Sequence, residues 1–422
     1  MQAFKITGGK KLTGTIAVQG AKNAVLPLMA AALLTDEPVT LRNTPYLSDV
    51  HTLSDLLASL GAEITHGADS ITVRAKNITN LCASYEFVSR MRASFWVLGP
   101  LLARFHEAKV SLPGGCAIGA RPVDRYLKAL QNMGASLDIA HGYVVARGKL
   151  HAAEHTFPSI SVGASHNTIM AAVLTPGETI LHNVAVEPEV VDLIHLLQKM
   201  GARIEGAGTP TLRIAGVKKL HGATHDVIPD RIETATFAVA AAMTQGHVFI
   251  QNGRLDLMHA VADTLTPSGV KLVQKKEGLD VDATRAAPVS VNVVTREYPA
   301  FPTDAQSLLS AFLCVADGTA SIQENIFENR FMHIPELQRM GADIDVIDNH
   351  SVVIRGGKPL SGAVLTASDL RGGVGLVLAA LVAEGQSVIQ RIYHIDRGYY
   401  HLEEKLKALG ADIERCRFPD GE

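Results

Sequence analysis

Leu60-Gly61-Ala62-Glu63-Ile64 is the first of six related phrases that decide how this chain is organised. The others are Met133-Gly134-Ala135-Ser136-Leu137, Met200-Gly201-Ala202-Arg203-Ile204, Ser268-Gly269-Val270-Lys271-Leu272, Met340-Gly341-Ala342-Asp343-Ile344 and Leu409-Gly410-Ala411-Asp412-Ile413. Their glycines lie 73, 67, 68, 72 and 69 residues apart, so six units of one size fill the chain. Upstream of Gly61, Val50, Leu53, Leu57 and Leu60 recur at helical spacing and make one apolar stripe. Gly61 then fits the position just past a helix end, where a left-handed backbone is needed. Downstream, Ala62, Ile64, Ile71 and Val73 alternate with polar residues around Gly67-Ala68-Asp69, which predicts two strands joined by a tight turn. Pro188 suits the first turn of the matching helix in the third unit.

Outward from these phrases, a second pattern recurs: an Ala/Leu-rich helix, a turn, then a strand. Examples are Ala30 to Asn43, Ala171 to Asn183, Ala238 to Asn252 and Ala379 to Ile392. The unit therefore reads helix, strand, helix, strand, strand. Such repetition predicts an α/β fold with pseudo-symmetric helices beneath mixed sheets. A solenoid scaffold is the plainer alternative, but common solenoid repeats run ~20–50 residues and these are longer.

Composition bounds the function. The chain has 422 residues, 47% of them apolar, and a formal net charge of -3. At ~100–200 residues per domain this allows two or three domains with sizeable cores. The near balance of 39 basic and 42 acidic residues removes the global electrostatic reason to expect a nucleic-acid or membrane-surface partner. An anionic ligand would need a local basic cluster. No signal-peptide pattern opens the sequence, and the apolar runs Ala24 to Leu34 and Val374 to Ala383 fall short of the ~20 residues of a membrane span. The four cysteines, Cys82, Cys116, Cys314 and Cys416, form no C-x-x-C, and the histidines show no ligand spacing, so no metal is expected and a reducing, cytoplasmic setting is. No P-loop or dinucleotide fingerprint occurs.

The Ala-rich helices open on unusual residues: Lys22-Asn23, Arg92, Ser161-Val162-Gly163, Pro229-Asp230-Arg231, Phe301-Pro302-Thr303-Asp304 and Asp369-Leu370-Arg371. Asn23, Ser161 and Asp304 are ordinary cap types. Lys22, Arg92 and Arg371 are not, because a cation at the positive end of a helix is unfavourable by roughly 0.3–1 kcal/mol. Three such positions at equivalent places in the repeat predict a shared site for a strongly anionic ligand. The most distinctive segment runs from Ser111 to Pro122 through Gly114, Gly115, Cys116, Gly119 and Arg121. Its glycines permit movement, and Arg121 would stabilise a Cys116 thiolate. Cys82, Cys314 and Cys416 read as packing residues.

Taken together, Gly20-Ala21-Lys22-Asn23-Ala24, Met91-Arg92-Ala93-Ser94, Pro113 to Asp124, Pro229 to Thr234, Phe301 to Asp304, Phe327-Glu328-Asn329-Arg330-Phe331 and Tyr393 to Tyr399 resemble the UDP-N-acetylglucosamine 1-carboxyvinyltransferase family of the enolpyruvyl transferases. The resemblance covers essentially the whole chain. It implies an inside-out α/β barrel of two pseudo-symmetric domains, each of three βαβαββ-type units. The implied domains are 22–229, carrying a catalytic loop at 111–122, and 1–21 plus 230–422, with the active site in the cleft between them.

The resemblance also implies chemistry: transfer of the enolpyruvyl group of phosphoenolpyruvate to the 3′-hydroxyl of UDP-N-acetylglucosamine, the first committed step of peptidoglycan synthesis. Cys116 would protonate the methylene carbon, Asp304 would accept the hydroxyl proton, and Lys22 and Arg397 complete the catalytic set. Lys22, Asn23, Arg121, Arg371 and Arg397 would hold phosphoenolpyruvate. Asn23, Arg92, Arg121, Pro122, Val123, Asp124, Arg125, Ser161, Val162, Gly163, Asp304 and Ile326 would contact the UDP-sugar. Asp230, Arg330 and Asp369 would support them. No cofactor, metal, nucleic acid or membrane partner is implied, oligomeric state stays open, and Cys116 would be alkylated by an epoxide such as fosfomycin. The stretches after Asp304 and Arg371, and Ser159, depart from the family pattern. A 5-enolpyruvylshikimate-3-phosphate synthase-like transferase and a non-catalytic repeat scaffold remain as alternatives.

Overall fold

Each of the six glycines adopts a left-handed backbone, with φ of 108° at Gly61, 93° at Gly134, 101° at Gly201, 81° at Gly269, 92° at Gly341 and 97° at Gly410. In five of them the termination is the same double bond. At the end of Ser48–Leu60, the Gly61 N–H donates to Ala58 O and the Ala62 N–H to Leu57 O. The pattern repeats at Gly134-Ala135, Gly201-Ala202, Gly341-Ala342 and Gly410-Ala411, whose alanine amides reach Leu130, Leu197, Leu337 and Leu406. This arrangement needs a residue without a Cβ penalty at the turn and favours an apolar pair across it, which the recurring Gly-Ala and the leucine five residues earlier supply. The fourth unit differs: a 3-10 turn, Thr266–Ser268, precedes Gly269. These observations come from a computed structural model that describes residues 2–112 and 124–417; the side chains of Arg90, Arg92 and Ala93 also fall outside the description.

The described strands form six four-stranded sheets. Each has an edge strand paired in parallel with the strand that follows an Ala-rich helix, and two further strands paired antiparallel. In four sheets the parallel pair comes from one repeat, for example Glu154–Thr156 beside Glu178–His182. In the other two it is exchanged. Thr13–Ala17 pairs with His247–Gln251, and Ala223–Asp226 pairs with Val39–Arg42. Gln2–Thr7 inserts between Gln386–Gln390 and Asp412–Arg417, completing the sheet of the last repeat. The described residues accordingly divide into two compact units of three sheets each, one within 20–228 and the other made of the segment up to Gln19 and the chain from Pro229 onward.

Six helices lie at the centres of these units: α1 Lys22–Ala31, α2 Leu98–Phe105, α3 Val162–Ala172, α4 Arg231–Met243, α5 Gln306–Val315 and α6 Leu370–Val382. Every residue of α4 is buried, and α5 and α6 are nearly as enclosed. A helix apolar on all sides belongs in a core, and its small residues let neighbours approach: a Cβ at Gly375 of α6 would stand 2.6 Å from Ser307 O of α5. Helices α4, α5 and α6 pack on one another in their unit, as α2 and α3 do in theirs. Among the described residues, no helix is long and apolar enough to cross a membrane. Two helix openings differ from the sequence expectation. Arg92 begins a 3-10 turn, Arg92–Val97, and Asp304 lies in another, Thr303–Ala305, ahead of α5.

Candidate active site

In the unit containing the chain from Pro229 onward, Asp304 is the focus. Its Oδ1 accepts from Arg330 Nη2 at 2.9 Å and its Oδ2 from Arg371 Nη2 at 2.8 Å. The two guanidinium side chains are 3% and 5% exposed, and the Asp304 side chain 24%, so the carboxylate faces outward from a buried cationic pair. Asp304 is therefore not the cap that its position suggested; its charge is drawn to the two guanidiniums instead of the backbone amides. Burial pulls the Arg371 guanidinium down, but the carboxylate of Asp304, with Tyr399 and Asp230, outweighs this and raises it above its ordinary value.

Caps do appear beside it. Asp230 Oδ1 accepts the amides of Ile232 (2.8 Å) and Glu233 (3.1 Å), and Asp369 Oδ1 those of Arg371 (2.9 Å) and Gly372 (3.0 Å). Each places an anion at the positive end of its helix, Asp230 on α4 and Asp369 on α6, where Asp369 offsets Arg371. Ile326 donates its amide to Glu324 Oε1 at 2.8 Å. Glu324, fully buried, also takes the Phe327 amide and the Thr303 hydroxyl, so it fixes the residue before Asp304 and the Ile326 turn together. Arg397 ends the 3-10 turn Ile392–Arg397, and the preceding Asp396 is gripped by both terminal nitrogens of Arg415.

In the 20–228 unit, Lys22 is the first residue of α1. Its Nζ lies 2.8 Å from Asp49 Oδ2, with side chains 11% and 6% exposed. The ammonium at the helix start is thus balanced by a neighbouring helix, Ser48–Leu60. Asn23 sits inside the first turn and does not cap it; Ala21 holds the cap position. Ser161 does cap α3, its hydroxyl accepting from the Ala164 amide at 3.4 Å. Arg125 Nη1 donates to Ile160 O at 3.4 Å, which brings Asp124 and Arg125 beside Ser161, Val162 and Gly163. A Cβ on Gly163 would meet the Tyr126 hydroxyl at 2.6 Å. Cys116, Arg121, Pro122 and Val123 lie outside the described residues, as does the Arg92 side chain. Of the other cysteines, Cys314 is buried and burial pushes its thiol up to about 12, whereas Cys82 and Cys416 are half-buried free thiols. No group of three or more metal-ligating side chains occurs among the described residues.

Asp49, Glu324 and Arg415 were not singled out by the sequence, and Tyr399 entered only as the end of the Tyr393 to Tyr399 motif, with no role. Asp49 had a signal: it lies four residues before Leu53, on the apolar stripe of its helix, where an acid calls for a partner. Tyr399 and Arg415 act on partners distant in the chain, and Glu324 adds to its two local amides a bond to Thr303, 21 residues away, which no local pattern announces.

Comparison with known proteins completes the identification. The sequence pattern of the EPSP synthase (3-phosphoshikimate 1-carboxyvinyltransferase) family matches residues 6–406. UDP-N-acetylglucosamine 1-carboxyvinyltransferase of Paramagnetospirillum magneticum is 50% identical over 428 residues, covering 99% of this chain and 99% of that protein. Its counterpart from Dinoroseobacter shibae is 51% identical over 421 residues, covering 99% and 100%. Among solved structures, the enolpyruvyl transferase NikO from Streptomyces tendae superposes with a TM-score of 0.88 at 25% identity over 99% of each chain. EPSP synthase from Acinetobacter baumannii gives 0.76 at 18% identity over 99% and 100%, a likeness of fold alone. The sequence resemblance is thereby borne out, and the chain belongs to the EPSP synthase (3-phosphoshikimate 1-carboxyvinyltransferase) family of enolpyruvyl transferases.

Proposed function

We propose that this enzyme transfers the enolpyruvyl group of phosphoenolpyruvate to the 3′-hydroxyl of UDP-N-acetylglucosamine, releasing phosphate, as the first committed step of peptidoglycan synthesis. The observation that carries the reading is half identity to proteins bearing that name over 99% of both chains, against 18% to an EPSP synthase structure.

In this reading the substrate's methylene carbon takes a proton from the Cys116 thiol while the 3′-oxygen bonds to C2. Asp304 accepts the hydroxyl proton. The Cys116 thiolate then takes back a methyl proton, the freed electron pair re-forms the C=C bond as the C2–O bond to phosphate breaks, and the Asp304 proton leaves with the phosphate, so that enolpyruvyl-UDP-GlcNAc and phosphate depart with thiol and carboxylate restored. The Asp304 geometry supports its part. Each oxygen accepts from one buried guanidinium, and the side chain stays 24% exposed, so a carboxylate held ionised is presented at the surface of the unit. Lys22, Asn23, Arg121, Arg371 and Arg397 are assigned to the phosphate and carboxylate of phosphoenolpyruvate, where paired cations match paired anions. The residues from Arg121 to Arg125, with Ser161 to Gly163, Arg92 and Ile326, are assigned to the UDP-sugar. The reading extends to a cytoplasmic setting, to cell-wall roles in shape and division, and to Cys116 as the point of attack of fosfomycin.

Phosphate release from phosphoenolpyruvate is the test, with UDP-N-acetylglucosamine and shikimate 3-phosphate as rival acceptors. Release with the second acceptor alone, or with neither, would sink the reading. Undiminished release in both Cys116→Ser and Asp304→Ala would sink the residue assignments while leaving the reaction.

A further inference from the structure

We infer that Tyr399 is a positioning residue that orients the Arg371 guanidinium, and through it the Asp304 carboxylate, for the transfer reaction; the catalytic part of this inference rests on the function proposed above. Tyr399 is among the largest fully enclosed side chains of the protein, at 2% exposure. Its hydroxyl lies 2.7 Å from Thr236 Oγ1 and accepts from Arg371 Nη1 at 3.3 Å. The direction of this chain follows from counting hydrogens. The single Thr236 hydroxyl proton goes to Ile232 O at 2.8 Å. The phenol must therefore donate to Thr236, which leaves its oxygen lone pairs turned to Arg371. Burial, the largest influence, pushes the phenol up to about 12, so it keeps the proton that this order requires.

The consequence for Arg371 is a guanidinium held on both terminal nitrogens, by Asp304 Oδ2 on Nη2 and by Tyr399 on Nη1. The phenol ring also lies beneath it, 5.8 Å from the guanidinium carbon to the centroid. A planar fork with both ends occupied cannot rotate about its terminal bonds without breaking a contact. The relay runs from Ile232 and Thr236 of α4, through Tyr399, to Arg371 of α6 and then to Asp304 ahead of α5. All three core helices of the unit thus bear on the placing of one carboxylate.

Tyr399→Phe removes the oxygen and keeps the ring. We expect kcat/KM to fall about 10- to 100-fold, the span set by one hydrogen bond to a charged group. We expect Tyr399→Phe combined with Arg371→Lys to lose no more than Arg371→Lys alone, and Thr236→Val, which takes away the phenol's acceptor, to lose activity in the same direction. A second readout does not depend on the reaction. In arginine-selective 15N spectra of the unliganded protein, the Arg371 terminal nitrogens should exchange slowly in the wild type and faster in Tyr399→Phe. Activity of Tyr399→Phe within twofold of wild type, or losses that multiply independently with those of Arg371→Lys, would overturn the catalytic role. Unchanged guanidinium exchange would overturn the positioning itself. Absence of transfer by the wild type would instead count against the proposed function, with the spectra still deciding on Tyr399.

Discussion

Asp49→Asn is the most informative single change in the 20–228 unit. Asparagine keeps the size of the side chain and one acceptor oxygen, so what disappears is the charge facing Lys22 Nζ at 2.8 Å. Leaving a buried charge without its partner costs about 3–5 kcal/mol. Lys22 retains 11% side-chain exposure and the amide still accepts a bond, so the lower end applies, about 3 kcal/mol. For a unit of this size, with an m-value near ~3 kcal/mol/M in urea, the unfolding midpoint should drop by about 1 M. Urea titration followed by far-UV circular dichroism reads this directly. Lys22→Met should also be destabilising, because it removes the ammonium that faces Asp49 at 2.8 Å. The double variant holds neither charge, so it should lose less than the sum of the two, with a coupling of roughly 2 kcal/mol or more. If Lys22 meets the phosphate of phosphoenolpyruvate, that anion should recover more of the midpoint in Asp49→Asn than in the wild type. A midpoint within about 0.2 M of wild type for Asp49→Asn, or strict additivity in the double variant, would refute the claim that Asp49 balances the Lys22 ammonium at the start of α1.

Three further outcomes are expected. Asp304→Asn should cut phosphate release by roughly 10²–10⁴-fold and also lower the thermal midpoint, because it leaves the buried Arg330 and Arg371 facing a neutral amide; a stabilised variant would contradict this. Gly341→Ala should cost about 1–2 kcal/mol from its left-handed backbone alone, since a Cβ there meets nothing within 4 Å, whereas Gly61→Ala should cost clearly more because its Cβ would stand 2.4 Å from Asn77 O; comparison of urea midpoints separates strain from clash. Burial holds His166 and His333 down to about 4, so both stay neutral in the native state while the unfolded chain takes up protons near pH 6.5. Their contribution to stability is present above that pH and lost as pH falls towards 4, at up to about 1.4 kcal/mol per pH unit for each histidine, and His333→Gln should flatten the acid limb of a thermal-melting series.

What could be read from the sequence was local. The Gly-Ala phrase with a leucine five residues before the alanine announces its own helix end, because every bond of that turn lies within six residues. Pro188 and Ser161 act where their types suggested, at the first turn of a helix and at a cap. Local rules misjudged Asn23 and Asp304, whose side chains a cap rule would turn to the backbone. The second of these has two cations competing for it, brought from 26 and 67 residues away. The bonds of Tyr399 to Arg371 and of Glu324 to Thr303 were hidden for the same reason: those partners are set by tertiary packing. The exchange of Thr13–Ala17 and Ala223–Asp226 between sheets was equally hidden, since the strand patterns fix which face is buried but not which distant neighbour is met.

That exchange has a bearing on biosynthesis. Gln2–Thr7 is an inner strand of its sheet, yet both of its neighbours, Gln386–Gln390 and Asp412–Arg417, are made long after it. At ~5–20 residues per second, the first strand emerges from the ribosome roughly 20–80 s before either partner exists. The intervening 20–228 unit has all of its strands by the time Ala223–Asp226 appears, about midway through synthesis. The leading segment must therefore wait, with its backbone hydrogen-bonding groups unpaired, while the middle of the chain folds behind it. A tag or deletion at the amino terminus would consequently be felt in the unit built from the carboxyl-terminal half.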